Sequence, residues 1–169
     1  MSNSVRQHTI LKTLKKWSFG ANSLAFLNNF LKLRKFRVQT NGILSTTKIQ
    51  ENGVTLGSPL STTLFLVVIN SIIEECTTPL KARLYADDLV VFGKGKKPKT
   101  IYDCLQRFLV KLQDWSSSTG LQISEDKNKC IRFCKRYKGN LPQLQPFGKS
   151  IQYVENIKFL GMILDHRQN

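Results

Sequence analysis

Residues 84–92 read "LYADDLVVF", two adjacent aspartates set into an otherwise apolar run. An ionised carboxylate is costly to bury without a partner, and here two stand side by side. The short apolar runs at 82–85 and 89–92 predict a β-hairpin over 82–92 with Asp87-Asp88 at its tip. As a plain turn the pair needs no chemistry, because Asp is common there and supplies local hydrogen bonds. As a functional pair it offers hard oxygen ligands to Mg2+, which usually takes one or two carboxylates plus substrate phosphates. Those nine residues alone leave both readings open.

The charge balance bears on the choice. Lys and Arg number 26 against 11 Asp and Glu, a net charge of +15. Such a field favours a polyanionic partner, nucleic acid first and an anionic membrane surface second. Residues 1–50 contain no acidic side chain, and Glu51 is the first. A hydrophobic content of 41% in 169 residues suits one globular domain with a core and at most a small appendage. The longest apolar run, 64–69, is too short to span a bilayer, and no signal peptide is legible at the N-terminus. Four scattered cysteines then predict a reduced, intracellular protein, with nothing to choose between nucleus and cytoplasm. Cys130 and Cys134 lack the further Cys or His ligands that a zinc site requires.

Working outward, Ile10, Leu14 and Trp17 recur at helical spacing in residues 5–17, and Asn22 is placed to cap a second helix with the stripe Leu24, Leu27, Phe30 and Leu31. Asn41-Gly42 marks a hairpin. Gly57, Ser58 as N-cap and Pro59 at the first helical position start a helix expected over 59–76, apolar nearly all round and so read as buried. Thr100 with Asp103 resembles a capping box before a stripe of Ile101, Cys104, Leu105, Phe108, Leu112 and Trp115, closed by Gly120. Strand-like pieces follow: "LQIS", "KCIRFC", "SIQYV" and "IKFLGMIL". The pattern is α+β, an antiparallel sheet backed by helices on one face.

Four stretches in order, "NGVTLGSPLSTTLFLVVIN", "RLYADDLVVF", "GLQISEDKNKC" and "IKFLGMILD", resemble the reverse transcriptase palm of non-LTR (LINE-like) retrotransposons, jockey-type elements of insects above all. The resemblance implies a polymerase palm over 1–140 and the palm end or the start of a thumb over 141–169. It implies a metal-binding box at Tyr85-Ala86-Asp87-Asp88, with Asp87 the principal ligand, Asp88 the supporting one, and Tyr85 and Ala86 beneath the primer end. Gly57-Ser58-Pro59 would support the incoming nucleotide and template; on the residues alone an ordinary capped helix reads equally well. Lys127 falls where the family places a lysine beside the leaving pyrophosphate, and Phe159-Leu160-Gly161 where a turn grips the primer. The implied cofactor is Mg2+ at a two-metal site. The implied partners are an RNA template, a DNA primer and deoxynucleotides, with no membrane.

The chain departs from the pattern at two places. Leu56 stands where the family usually has Gln, replacing an amide by a side chain without donors or acceptors. Asn3 falls where the first catalytic aspartate is expected, and no carboxylate in residues 1–50 can substitute. The expectation is therefore an incomplete palm, wanting an upstream polymerase segment with the fingers, its hairpin left as a sheet edge and its 169 residues inactive alone. The alternative is a non-catalytic, basic nucleic-acid-binding remnant. Either would bind RNA or DNA through Lys94, Lys96, Lys97 and Lys99 and the basic segment from Lys127 to Lys138, with a steep salt dependence.

Overall fold

The computed structural model describes residues 4–32, 34–54, 57–133 and 142–166. Its elements follow the α+β order: α1 (Gln7–Lys16), α2 (Ala21–Leu31), four short strands β1 (Arg34–Phe36), β2 (Gln39–Thr40), β3 (Ile43–Leu44) and β4 (Lys48–Gln50), then α3 (Pro59–Asn70). The hairpin strands β5 (Leu80–Tyr85) and β6 (Asp88–Gly93) precede the long α4 (Pro98–Thr119), and β7 (Lys129–Ile131), β8 (Gln152–Val154), β9 (Asn156–Phe159) and β10 (Met162–Asp165) complete the order.

The described residues divide into two compact units. The first gathers Met1–Glu74 with the hairpin tip Leu84–Asp88 and the end of α4, Trp115–Gln122. Its core packs α1 with α2 and α3: Val5, Ile10, Leu14, Leu27, Leu31, Val54, Leu64, Val68 and Leu121 form one buried cluster. Each such aliphatic side chain contributes roughly 1.5–3 kcal/mol on leaving water. Backbone bonds join this unit's sequence-distant pieces. Arg6 N–H donates to the Thr119 carbonyl (2.9 Å) and Gly53 N–H to the Val5 carbonyl (2.7 Å). Gly120 closes α4 as expected: its N–H reaches the Ser116 carbonyl (3.0 Å). Its φ of +78 and the Ser4 carbonyl, 2.5 Å from where a Cβ would lie, exclude a side chain. The second unit holds Glu75–Arg83, Leu89–Asp114 and Ile123–Asn169, with Leu80, Ala82, Phe108, Leu112, Leu144 and Ile151 buried.

Several expectations need correction. A single antiparallel sheet is not formed among the described residues: the strands pair two by two, β1–β4, β2–β3, β5–β6, β7–β8 and β9–β10, and β7–β8 is parallel. The strands are only two to six residues long, and none bridges a third. Within the described residues β5–β6 pairs with no further strand. The helix expected over 59–76 is α-helical only to Asn70 and tightens to a 3-10 turn over Ser71–Glu75. There the Ser71 hydroxyl donates to the carbonyl of Val68 (2.7 Å), favouring the shorter register.

Asn22 does not cap α2. Gly20 takes that position, its carbonyl accepting from Leu24 N–H (3.0 Å), so the helical ladder begins earlier. The Thr100–Asp103 capping box is also not formed, because α4 starts at Pro98, whose missing N–H costs nothing at a first helical position. "LQIS" is not a strand: Leu121 N–H turns to the Thr119 hydroxyl (3.3 Å) and its side chain enters the core of the first unit. The end of "KCIRFC" at Cys134, and with it the Cys130–Cys134 pair, lies outside the described residues.

Candidate active site

The aspartate pair sits where the flanking apolar runs place it, with one refinement. Ala86 and Asp87 form the two-residue turn, and Asp88 opens the return strand β6. Ala86 has φ +52, a left-handed conformation uncommon for a residue with a Cβ and costing on the order of 1–2 kcal/mol. Tyr85 is 66% exposed, so it is not strand core. Both carboxylates are exposed, and among the described residues neither has a hydrogen-bond or ion-pair partner. Two adjacent carboxylates in a chain of net charge +15 have thus drawn no cation to themselves among the described residues. Their donors are hard, exposed and uncompensated oxygens, which suit Mg2+. The pair supplies two such groups, and no cluster of three or more His, Cys, Asp or Glu exists among the described residues. Asn3 and Leu56 lie outside those residues.

Gly57 has φ +85 with open space around the position of a Cβ, so the requirement for glycine there is in the backbone. Ser58 occupies the N-cap of α3 and Pro59 the first turn, as read, but the Ser58 side chain makes no capping bond. Its carbonyl instead accepts from Ser61 N–H (3.0 Å) and Thr62 N–H (3.4 Å). Helix-start N–H groups without a capping side chain are suited to phosphate oxygens.

The face of α3 that the apolar sequence had consigned to the interior is partly open. Leu64 and Val68 are buried, but Leu66 is 42% exposed. Thr63, Leu66, Val67 and Asn70 line a shallow cleft of about 350 Å³ with Leu84 and Ala86 of the hairpin and with Trp17. Trp17 was expected to extend the buried stripe of α1. It lies just beyond that helix instead, its indole N–H donating to Glu74 Oε1 (3.0 Å) while the Lys16 ammonium takes Oε2. The Lys16 bond, then the Trp17 bond, holds the Glu74 carboxyl below the usual carboxylate range. Nothing in the helical spacing marks Trp17 as a cleft residue, because the signal lies 57 positions away at Glu74.

Lys127 and Phe159-Leu160-Gly161 belong to the second unit. Lys127 is exposed and ends the short 3-10 turn Glu125–Lys127. Its acidic neighbours Glu125 (3.0 Å) and Asp126 (3.8 Å) are paired with Lys149. The bond to Glu125 raises the Lys149 pKa. Leu160 and Gly161, with φ +48 and +83, make a two-residue turn that splits the strand-like piece "IKFLGMIL" and closes β9 on β10, with Phe159 opposite Met162. Lys94, Lys96, Lys97 and Lys99 are exposed before and at the start of α4, while Lys135 and Lys138 lie outside the described residues. No helix among the described residues is long and apolar enough to cross a membrane.

Comparison with known proteins bears on this arrangement. The sequence profile of the family "Reverse transcriptase (RNA-dependent DNA polymerase)" matches residues 3–164. The chain is 29% identical over 147 residues to the RNA-directed DNA polymerase from mobile element jockey of Drosophila melanogaster, covering 83% of this chain and 16% of that protein. It is 28% identical over 145 residues to the protein of the same name from Drosophila funebris, covering 82% and 16% respectively. The chain thus spans about 16% of the length of these curated relatives.

Proposed function

Because the chain belongs to the reverse transcriptase (RNA-dependent DNA polymerase) family, we propose that residues 1–140 form part of a polymerase palm and 141–169 its end or the start of a thumb, serving RNA-directed DNA synthesis by a mobile element. The observation that carries this reading is Asp87-Asp88, two exposed carboxylates on a strained hairpin tip with no partner among the described residues. Asp87 and Asp88 are the metal-binding side chains, Asp87 the principal one. When bound there with its second ion, Mg2+ supplies activation of a primer 3′-hydroxyl and neutralises the leaving pyrophosphate. The remaining roles fall to the chain's own groups. Backbone N–H groups of Gly57 and Ser58, at the helix start that Pro59 fixes, hold phosphate and position the nucleotide against the template. Tyr85 and Ala86 lie beneath the primer end. Lys127 donates a proton or positive charge to the leaving pyrophosphate, and Phe159-Leu160-Gly161 steadies the primer strand. The substrates are an RNA template, a DNA primer and deoxynucleotides.

A second reading, a basic nucleic-acid-binding chain without catalysis, is favoured by one observation. Residues 1–50 hold no carboxylate, and Asn3 occupies the position assigned to the first catalytic aspartate. Asn brings an oxygen but no charge to offset divalent cations. Primer extension on poly(A)–oligo(dT) by the 169 residues alone tests whether Asn3 can stand in for that aspartate. No extension is expected with Mg2+ or Mn2+, and Asn3→Asp alone restores little, because a misplacement of about one ångström already costs on the order of a hundredfold. Extension by the unmodified chain that Asp87→Ala abolishes would show that the third carboxylate is not needed.

A further inference from the structure

Every residue from 35 to 49 is exposed, a stretch that contains most of β1 and β4 and all of β2 and β3. Two antiparallel pairs, Arg34–Phe36 with Lys48–Gln50 and Gln39–Thr40 with Ile43–Leu44, make one folded-back ribbon closed by Asn41-Gly42 at φ +51 and +80. A two-stranded ribbon without a covered face is marginal in water. This one nevertheless carries five large apolar side chains in the open: Phe36 (45%), Val38 (56%), Ile43 (76%), Leu44 (55%) and Ile49 (55%). It also carries Lys35, Arg37 and Lys48 and no acidic residue. Among the described residues none of these three cations meets a carboxylate.

The register sets the two kinds of side chain together. Phe36 stands opposite Lys48, and Lys35 opposite Ile49. Directly opposed side chains share a face, with Cβ atoms roughly 4.5–5.5 Å apart. Successive pairs alternate faces, so each face of β1–β4 presents an apolar surface beside a cation. Arg37 is held by its Nε–H bond to the Thr47 hydroxyl (2.7 Å), which leaves its terminal nitrogens for a ligand. The root is anchored separately, since Arg34 donates to the Phe30 carbonyl (2.7 Å) with its guanidinium 4.3 Å from the Phe30 ring centre.

We propose that this ribbon is a docking surface for a single nucleic-acid strand, a site separate from the aspartate hairpin and from the lysines before α4. A single strand offers what the pairs require: base faces to cover the apolar side chains, and a phosphate beside each base for the neighbouring cation. A second copy of this chain suits the surface poorly, because it would bring a like charge of +15. A double helix stacks its bases inside and gives the apolar groups little to cover.

The test is fluorescence anisotropy with a short labelled single-stranded RNA across a salt series, on the full chain and on the variant Lys35→Gln/Arg37→Gln/Lys48→Gln. Each phosphate contact on a single strand steepens the salt slope by about 0.7, so removing three makes affinity fall about 20-fold less between roughly 50 and 200 mM salt. Phe36→Ala weakens binding several-fold with the slope unchanged. Lys35→Arg/Lys48→Arg, which keeps the charges, retains binding, which guards against a folding defect in the glutamine variant. The salt slope of binding and primer extension are read in separate assays on separate variants, so failure here and failure of the polymerase reading remain distinguishable. The proposal is overturned by a glutamine variant with wild-type slope and affinity, by binding confined to duplex RNA, or by a salt slope lost only on substituting Lys94, Lys96, Lys97 and Lys99. It is equally overturned if sedimentation finds a dimer that the ribbon variant dissolves.

Discussion

Leu64 and Leu66 are two residues apart in α3, in a sequence apolar nearly all round, and the fold treats them differently. Leu64 is 2% exposed within the first unit's core, whereas Leu66 is 42% exposed on the cleft side. Replacing a fully buried leucine by alanine removes its transfer energy and leaves a cavity, costing about 2–5 kcal/mol. With a midpoint of about 3 kcal/mol and about 2–4 °C per kcal/mol for a chain this size, Leu64→Ala lowers the melting temperature by roughly 6–12 °C. Leu66→Ala forfeits only part of a side chain's burial and no enclosed volume, roughly 1 kcal/mol or less, hence under about 4 °C. Thermal denaturation followed by far-UV circular dichroism at one scan rate reads both shifts. Equal shifts, or a larger one for Leu66→Ala, would refute the one-sided burial of α3 and with it the cleft beside the hairpin.

Two further outcomes follow from the same structure. The Glu74 carboxyl sits below its ordinary value of 4.5, so its contribution to stability is complete above that value and is lost as pH falls through the lowered one. Since the ion pair is solvent-exposed, Glu74→Gln costs at most about 1 kcal/mol in urea melts at neutral pH, and the gap to wild type closes on acidification; a gap that persists in acid contradicts this. Replacing Lys94, Lys96, Lys97 and Lys99 by Gln flattens the salt dependence of RNA binding by up to about 0.7 per lysine removed, and an unchanged slope would make those lysines solubilising only.

Which features were legible depended on the range of the signal. The Asp87 hairpin, the Asn41-Gly42 turn, Pro59 and the Gly120 stop could be read because their determinants lie within a few residues. The readings that failed depend on partners far along the chain or on competition between local signals. Trp17 leaves the core for Glu74, 57 positions on. Ser71 ends the α-helical register of α3 while accepting the Trp115 indole N–H (2.8 Å), 44 positions away. Pro98 overrides the Thr100–Asp103 cap because a proline start satisfies the backbone sooner. Asn41-Gly42 announced the hairpin β2–β3, but a turn signal does not reveal whether anything covers either face. Of the candidate site, the residue types and the turn were readable, while the strain at Ala86 and the lack of a partner for either carboxylate among the described residues required the structure.

The central claim is that Asp87 works as a polymerase carboxylate. It is tested most directly by grafting this chain in place of the matching segment of the Drosophila melanogaster jockey polymerase, with the aspartate restored at Asn3, and measuring extension of oligo(dT) on poly(A) with Mg2+. The account predicts that the chimera extends the primer, more weakly with Leu56 than with Leu56→Gln, and that Asp87→Ala reduces extension at least about a hundredfold, the loss of a group that must be positioned to within an ångström. Extension that survives Asp87→Ala, or a folded chimera that stays inactive with Gln at position 56, would contradict it.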